Sequence, residues 1–311
     1  MVRRFIRDRV QVCRAGARWH RLWRMSESLV TSASVRRRRA CEAALGVATR
    51  LGIRAQDAVI LADRNNTVVW LRPAPVVAKV GTSHFGDVGL ESVERELAVA
   101  EHLASHQAPC VRPARDIPPG PHHCQELVVT LWQRLEPAPC VVFSAVETAA
   151  TIKAVHDALL DFDGDLPLFS LELDDANRLL EADRSPGLRP ADRRFLVGVA
   201  AELQAELAAL SPACRPLHGS PHDANWLQTA DGLVLLDFET ACMGPIEWDL
   251  AALGDDVIAL FPGVDRGLIQ TMRRLRSVCV AAKCWVAPER APEVREAAHV
   301  HLRMLRGEPV D

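Results

Sequence analysis

The chain has 311 residues, 49% of them apolar and 25% charged, with a formal net charge of −3. That length supports two cores, and that balance excludes a disordered or fibrous protein. No apolar run approaches the ~20 residues needed to cross a bilayer, which argues against a membrane partner.

The charge is uneven along the chain. Residues 1–40 carry twelve Arg against two acidic residues, so the remainder is acidic by 13 charges. An acidic body argues against a nucleic-acid partner. Nine cysteines include no Cys-x-x-Cys pair. An odd, unpatterned set of thiols fits a reducing compartment, so a cytoplasmic location is expected. Lysine is rare, with Lys79, Lys153 and Lys283 the three in the chain.

Residues 1–38 read as a basic leader, rich in Arg and Ser and without a core-facing period, and disorder is expected there. At Cys41 the pattern changes. Ala43, Ala44, Leu45, Val47, Ala48 and Leu51 have helical spacing, stopped by Gly52. Ala58–Ala62 and Thr67–Leu71 read as strands joined by the polar turn Asp63-Arg64-Asn65-Asn66. Val76–Val80 is a third strand. Leu90–His106 is a helix with Leu90, Val93, Leu97, Ala100 and Leu103 on one face. Val111–Pro113 and Glu126–Trp132 are further strand candidates. Three strands, a helix and two strands make a small antiparallel sheet with a helix on it, an α+β lobe.

From Ala145 the chain turns mainly helical. Helical periods cover Ala145–Leu160, Leu171–Ala182, Pro190–Leu210, Glu247–Leu260, Leu268–Val286 and Pro292–Leu305. The expected organisation is therefore the leader 1–38, a sheet lobe 39–135 and a helical lobe 136–311.

Chemistry concentrates between the third and fourth of those helices, from Leu217 to Ala252. Leu233–Leu236 is a short apolar run entered through Asp231-Gly232, the pattern of a buried strand. Asp237 follows it directly, so its charge needs an ion or a hydrogen-bond partner. Asn225 lies in the preceding loop. A carboxylate and a carboxamide at adjoining loop ends can hold a hard cation through oxygen. Lys79, in a strand reading Val-Val-Ala-Lys-Val, precedes Glu96 on the next helix by seventeen residues. An ammonium is a compact point charge for phosphate oxygens, and a carboxylate partner fixes its long stem.

These features resemble the aminoglycoside and choline/ethanolamine phosphotransferases, small-molecule phosphotransferases of the protein-kinase-like fold. Their loop reads His-Gly-Asp, four residues, Asn, then a strand and Asp-Phe/Trp-Glu/Asp. Here it reads His218-Gly219-Ser220-Pro221-His222-Asp223-Ala224-Asn225, followed by Asp237-Phe238-Glu239. The resemblance covers about residues 40–290. It implies a two-lobed fold, with a nucleotide-binding sheet lobe and a helical lobe carrying the catalytic and metal loops.

It also implies roles. Lys79 would hold nucleotide phosphates and Glu96 would orient it. Asn225 and Asp237 would bind magnesium, and Glu239 matches an acidic position near a second metal or the substrate. Asn65 and Asn66 stand in the turn that covers the nucleotide, which here lacks glycine. Gln133 and Leu135 lie in the connector Thr130–Glu136, whose backbone would meet the adenine edge. His218 and Asp249 match structural positions, the aspartate at a helix start.

The departure is Ser220, where the family has its catalytic aspartate. His222 or Asp223 then becomes the alternative proton acceptor. The implied function is ATP- and magnesium-dependent phosphoryl transfer to a hydroxyl of a small molecule. The alternative is an impaired nucleotide- or ligand-binding protein of the same fold. A serine hydrolase built on Ser220 lacks the Gly-x-Ser-x-Gly turn that would expose such a nucleophile.

Overall fold

The computed structural model describes residues 33–64, 66–82, 90–139, 143–181, 183–289 and 292–309. The first element is a helix, α1, over residues 33–50. It buries Ala40, Ala43, Ala44, Val47 and Ala48, small side chains that let it lie close on the sheet. The sequence places residues 33–38 in the leader, but they form the first turns of this helix. Their lack of apolar spacing hid that, because the contacts they make are ionic. Arg36 Nη2 and Arg37 Nε donate to Asp63 Oδ2 at 2.8 and 2.7 Å. The rest of the expected leader lies outside the described residues.

Five strands follow: β1 (Ala55–Asp63), β2 (Asn66–Pro73), β3 (Val76–Gly81), β4 (His122–Cys124) and β5 (Leu127–Gln133). They form one antiparallel sheet in the order β1-β2-β3-β5-β4. Helix α2 (Leu90–Ser105) covers the face opposite α1. The period-2 alternation of β3 sorts its side chains between the two helices. Val76, Ala78 and Val80 join the α1 core, while Val77 joins the α2 core with Leu97, Ala100 and Leu103. Lys79 shares the α2 side with Val77, and this alternation brings it to Glu96.

Val111–Pro113, expected as a strand, is an extended segment making isolated bridges, Cys110 with Leu235 and Pro113 with Trp132. Pro113 has no N–H to continue a ladder. The segment instead ties the sheet to the hairpin of β7 (Trp226–Thr229) and β8 (Gly232–Leu235). Val111 N donates to Leu235 O at 3.0 Å, and Gln133 N to Arg112 O at 2.9 Å.

The helical part contains α3 (Ala145–Leu159), α4 (Leu171–Leu179) and α5 (Pro190–Leu210). Ser144 caps α3 by accepting from Glu147 N, and Pro190 opens α5, where its missing N–H costs nothing. A short pair, β6 (Arg215–Leu217) with β9 (Cys242–Gly244), brackets the loops between them. The expected helix Glu247–Leu260 is two pieces, α6 (Ile246–Leu250) and α7 (Asp255–Ile258), with Gly254 as the extended cap of the second. Helices α8 (Arg266–Val286) and α9 (Pro292–Arg306) complete the chain.

One core lies among α4, α5, α8 and α9. Another is shared by the two halves: Leu97 and Leu103 of α2 pack with Ile152 and Val155 of α3 and Leu235 of β8. The sheet and the catalytic-looking loops are therefore held by common apolar contacts, not by a hinge alone. Among the described residues no helix is long and apolar enough to cross a membrane, and the cysteines are free thiols.

Candidate active site

Three acids converge on Lys79. Its Nζ lies 2.8 and 2.9 Å from the Glu96 carboxylate oxygens, 2.8 Å from Asp237 Oδ1 and 3.1 Å from Glu239 Oε2. Strand β3, helix α2 and the segment after β8 each contribute a partner. Burial opposes the ammonium, but the charges of Glu96, Asp237 and Glu239 outweigh it and raise the lysine well above its ordinary pKa. Burial also lifts Glu96, to about 7, against the pull of Lys79 and with Asp237 and Glu239 adding to the rise. Both directions follow from three carboxylates sharing one ammonium. The most deeply buried acid carries the excess.

Asp237 is oriented by its backbone. It follows β8 with φ of 69°, in the left-handed region that aspartate tolerates better than most residues. Burial pushes its carboxyl up, but Lys79 prevails and holds it below the usual range. Single oxygens of Glu96, Asp237 and Glu239 lie within 4.8 Å of one another. This is an all-oxygen donor set with two negative charges left after Lys79 is counted. Hard divalent cations are held by such donors, so the residues fit magnesium. Asn225 is buried nearby in the chain's path: its backbone O accepts from Leu236 N at 2.8 Å. Its side-chain Nδ2 donates to Ser220 O at 2.9 Å, leaving the amide oxygen as the group suited to a cation.

The loop from His218 to Asn225 is held from behind. His218 Nδ1 accepts from Ser220 N at 3.1 Å, so its Nε2–H donates to Leu236 O at 2.9 Å. Burial lowers its pKa, and the ring, packed on Phe238 at 4.8 Å, is a neutral strut. Gly219 is required for space as well as conformation. Its φ is 91°, and a Cβ there would lie 1.8 Å from Thr240 O. Asp249 collects the loop's amides, His218 N at 3.0 Å on Oδ2 and Gly219 N at 2.8 Å on Oδ1. Asp249 lies in the first turn of α6, the helix-start position expected for it, and from there its carboxylate also braces this loop. Burial pushes Asp249 up, but the His156 hydrogen bond at 2.8 Å helps hold its carboxyl down.

Ser220 sits on this brace, half-buried, at the third position of the loop. His222 and Asp223 are exposed, in the 3₁₀ turn that runs to Asn225. His222 Nδ1 accepts from Ala224 N at 3.3 Å. Asn66 reaches the acid cluster directly, its Nδ2 donating to Glu239 Oε2 at 3.0 Å. Asn65 lies outside the described residues. In the connector, Gln133 is the last residue of β5. The Gln133 and Arg134 amides donate to Arg112 O and Pro75 O. Among the described residues, Leu135 N–H meets no backbone acceptor.

Three contacts escape sequence reasoning. His156 of α3 meets Asp249 across 93 residues. Arg276 of α8 donates to Gly219 O and Trp248 O at 2.9 and 2.7 Å and stacks on the Trp248 ring. Arg95 donates to Glu239 O at 2.9 Å. No local spacing marks them. The one available signal was Arg95 adjoining Glu96.

The family model of a phosphotransferase enzyme family matches residues 58–278. No curated protein matches the chain in sequence. Among solved structures, the choline kinase LicA from Streptococcus pneumoniae aligns over 81% of this chain and 95% of its own, with TM-score 0.59 and 14% identity. A choline/ethanolamine kinase family protein from Mesorhizobium loti covers 81% and 87%, with TM-score 0.57 and 16% identity. The GDP complex of an aminoglycoside 2'-phosphotransferase-IIIa covers 83% and 96%, with TM-score 0.57 and 13% identity. At these identities the likeness is one of fold.

Proposed function

The chain belongs to the phosphotransferase enzyme family, and from that premise we propose that it moves the γ-phosphoryl group of ATP to a hydroxyl of a small molecule. The observation that carries this reading is the convergence of Glu96, Asp237 and Glu239 on Lys79. Residues 39–135 would carry most of the nucleotide and residues 136–311 the catalytic loop and the acceptor.

Lys79 would bind phosphate oxygens, held in aim by Glu96. Asp237, Glu239 and the Asn225 amide oxygen would hold magnesium, which supplies charge neutralisation at the phosphates. Asn66 would steady Glu239 and the turn over the nucleotide. Leu135 would offer its amide to the base. In phosphoryl transfer most of the barrier is lowered by such positioning and charge stabilisation. A general base contributes ~10²–10⁴-fold. With Ser220 at the loop's third position, the acceptor proton would pass to His222 or Asp223, both exposed beside it, or to solvent.

Ser220 also favours a second reading, a protein that binds nucleotide or another ligand without transfer. Binding comes first in either case. A ligand at ~100 times its dissociation constant stabilises by about 2.7 kcal/mol. ATP with magnesium is expected to raise the melting temperature of the wild type, and Asp237→Ala to abolish the magnesium-dependent part. An equal shift with and without magnesium, or an undiminished one in Asp237→Ala, contradicts the assigned metal site.

A further inference from the structure

The turn before Ser220 is gripped at each backbone polar group. Gly219 sits at φ of 91°, and a glycine, without a Cβ, populates both signs of φ. Left free, the peptides flanking it could flip and swing the Ser220 side chain with them. Both are held. His218 O accepts from Thr240 Oγ1 at 3.4 Å, and Gly219 N donates to Asp249 Oδ1 at 2.8 Å. Gly219 O accepts from Arg276 Nη2 at 2.9 Å, and Ser220 N donates to His218 Nδ1 at 3.1 Å. Ser220 O is fixed in turn by Asn225 Nδ2 and His222 N, both at 2.9 Å.

Of these partners, Arg276 is the one from outside the stretch 217–252. It comes from α8, 57 residues beyond Gly219. Its side chain is 15% exposed, and a charge is costly to bury unless it is paired. Yet its ion pair with Asp249 Oδ1 is long, at 3.9 Å. Its short bonds go to carbonyls instead. Nε and Nη2 converge on Trp248 O at 2.9 and 2.7 Å, while Nη2 also reaches Gly219 O. Its Cζ lies 4.0 Å from the centre of the Trp248 ring. A planar fork of fixed donors suits this geometry, and a point charge does not. Trp248 adjoins Asp249, so one guanidinium ties the loop's carbonyl to the turn of α6 whose carboxylate takes the loop's amides.

We infer that Arg276 is a positioning residue, which from α8 fixes the Gly219–Ser220 peptide and so sets the direction of the side chain at position 220. That this direction serves phosphoryl transfer rests on the function proposed above. The hold on the peptide does not.

The test follows amide hydrogen exchange by mass spectrometry on the full chain, as wild type, Arg276→Met and Arg276→Lys. In Arg276→Met, exchange of residues 217–222 should quicken at least tenfold, while residues 199–207 of α5 stay within twofold of the wild type. A merely structural role would quicken both. Arg276→Lys keeps the charge but lacks the fork. It should quicken the same loop at least threefold, and it carries the test if Arg276→Met does not fold. The second readout is kinetic, with both variants made in the wild type and in Ser220→Asp. In whichever background transfers phosphate, kcat should fall at least tenfold in Arg276→Met and recover in part in Arg276→Lys, with KM for ATP within twofold. Arg276 makes no hydrogen bond or ion pair with Lys79, Asp237 or Glu239 among the described residues, so ATP binding should not follow kcat. Unchanged exchange in the loop, equal quickening in α5, an unchanged kcat, or a KM for ATP that rises as far as kcat falls overturns the inference. If neither background transfers phosphate, the phosphotransferase reading fails and the exchange result decides the role of Arg276.

Discussion

One ammonium and three carboxylates set the character of this molecule at the residue scale. Lys79 is held by Glu96 and among acids that outnumber it, with its other partners, Asp237 and Glu239, half-buried. On the role proposed for Lys79, Lys79→Ala is expected to weaken ATP far more than adenosine in competition titrations, because the ammonium would act on phosphates. Equal loss for both ligands would mean a folding defect and remove the assigned role. Gly219 makes a second prediction. A Cβ would collide with Thr240 O, and the backbone sits at positive φ. Gly219→Ala should cost at least ~3 kcal/mol in denaturant unfolding, and a loss within ~0.5 kcal/mol would show that the loop relaxes freely. The pairing of Lys79 with Glu96 and the need of Asp237 for a partner were legible in the sequence, because each stands at a fixed step from a strand or turn that the pattern reveals. His156, Arg276 and the turning of Glu239 toward Lys79 were not. Their partners lie tens of residues away, and only the assembled fold brings them together.

At the scale of elements, α1 is tied to the turn that covers the site. Arg36 and Arg37 converge on Asp63, whose side chain is 5% exposed and which also accepts from Thr67 Oγ1 at 3.0 Å. Burial pushes the Asp63 carboxyl up, but the two guanidiniums and Thr67 prevail and hold it at about 2, below its ordinary 3.8. A depressed acid stabilises the fold above its unfolded pKa and loses that contribution as pH falls through its folded one. The melting temperature should therefore drop between about pH 4 and pH 2, and Asp63→Asn should flatten part of that drop. A variant as steep as the wild type would detach the effect from Asp63. Shortening the chain tests the same tie. Starting at Ala40 rather than Ala33 removes both arginines, and a melting point lower by a few degrees is expected. Identical melting would show that α1's first turns hold nothing. The strands and long helices could be read from periods of 2 and 3.6. The start of α1 could not, because ionic contacts leave no apolar stripe. The break at Gly254 was hidden by apolar residues that continue the helical spacing on both sides.

Across the whole molecule, the sheet with its lysine and the loops with their acids are joined by a common core, in which α2 meets α3 and β8. The overall α+β, kinase-like architecture was legible because strand-rich and helix-rich halves differ in period. The acceptor was not, since no motif in the helical half fixes it and an acidic surface is shared with many proteins. Ser220 is where the loop departs from the His-Gly-Asp pattern that the rest of it resembles. A hydroxyl is too weakly basic near neutral pH to take the acceptor's proton unaided. Supplying the carboxylate in an otherwise complete site should raise the rate by up to the ~10²–10⁴-fold of a general base. The most direct measurement is transfer of the γ-phosphoryl of ATP, with magnesium, to a panel of hydroxylated antibiotics, amino alcohols and sugars, by the wild type, Ser220→Asp and Asp237→Ala in parallel. Magnesium-dependent transfer by the wild type to at least one acceptor, faster in Ser220→Asp and lost in Asp237→Ala, is the predicted result. ATP bound with magnesium but transferred by neither the wild type nor Ser220→Asp would contradict the phosphotransferase reading and leave a nucleotide-binding protein in its place.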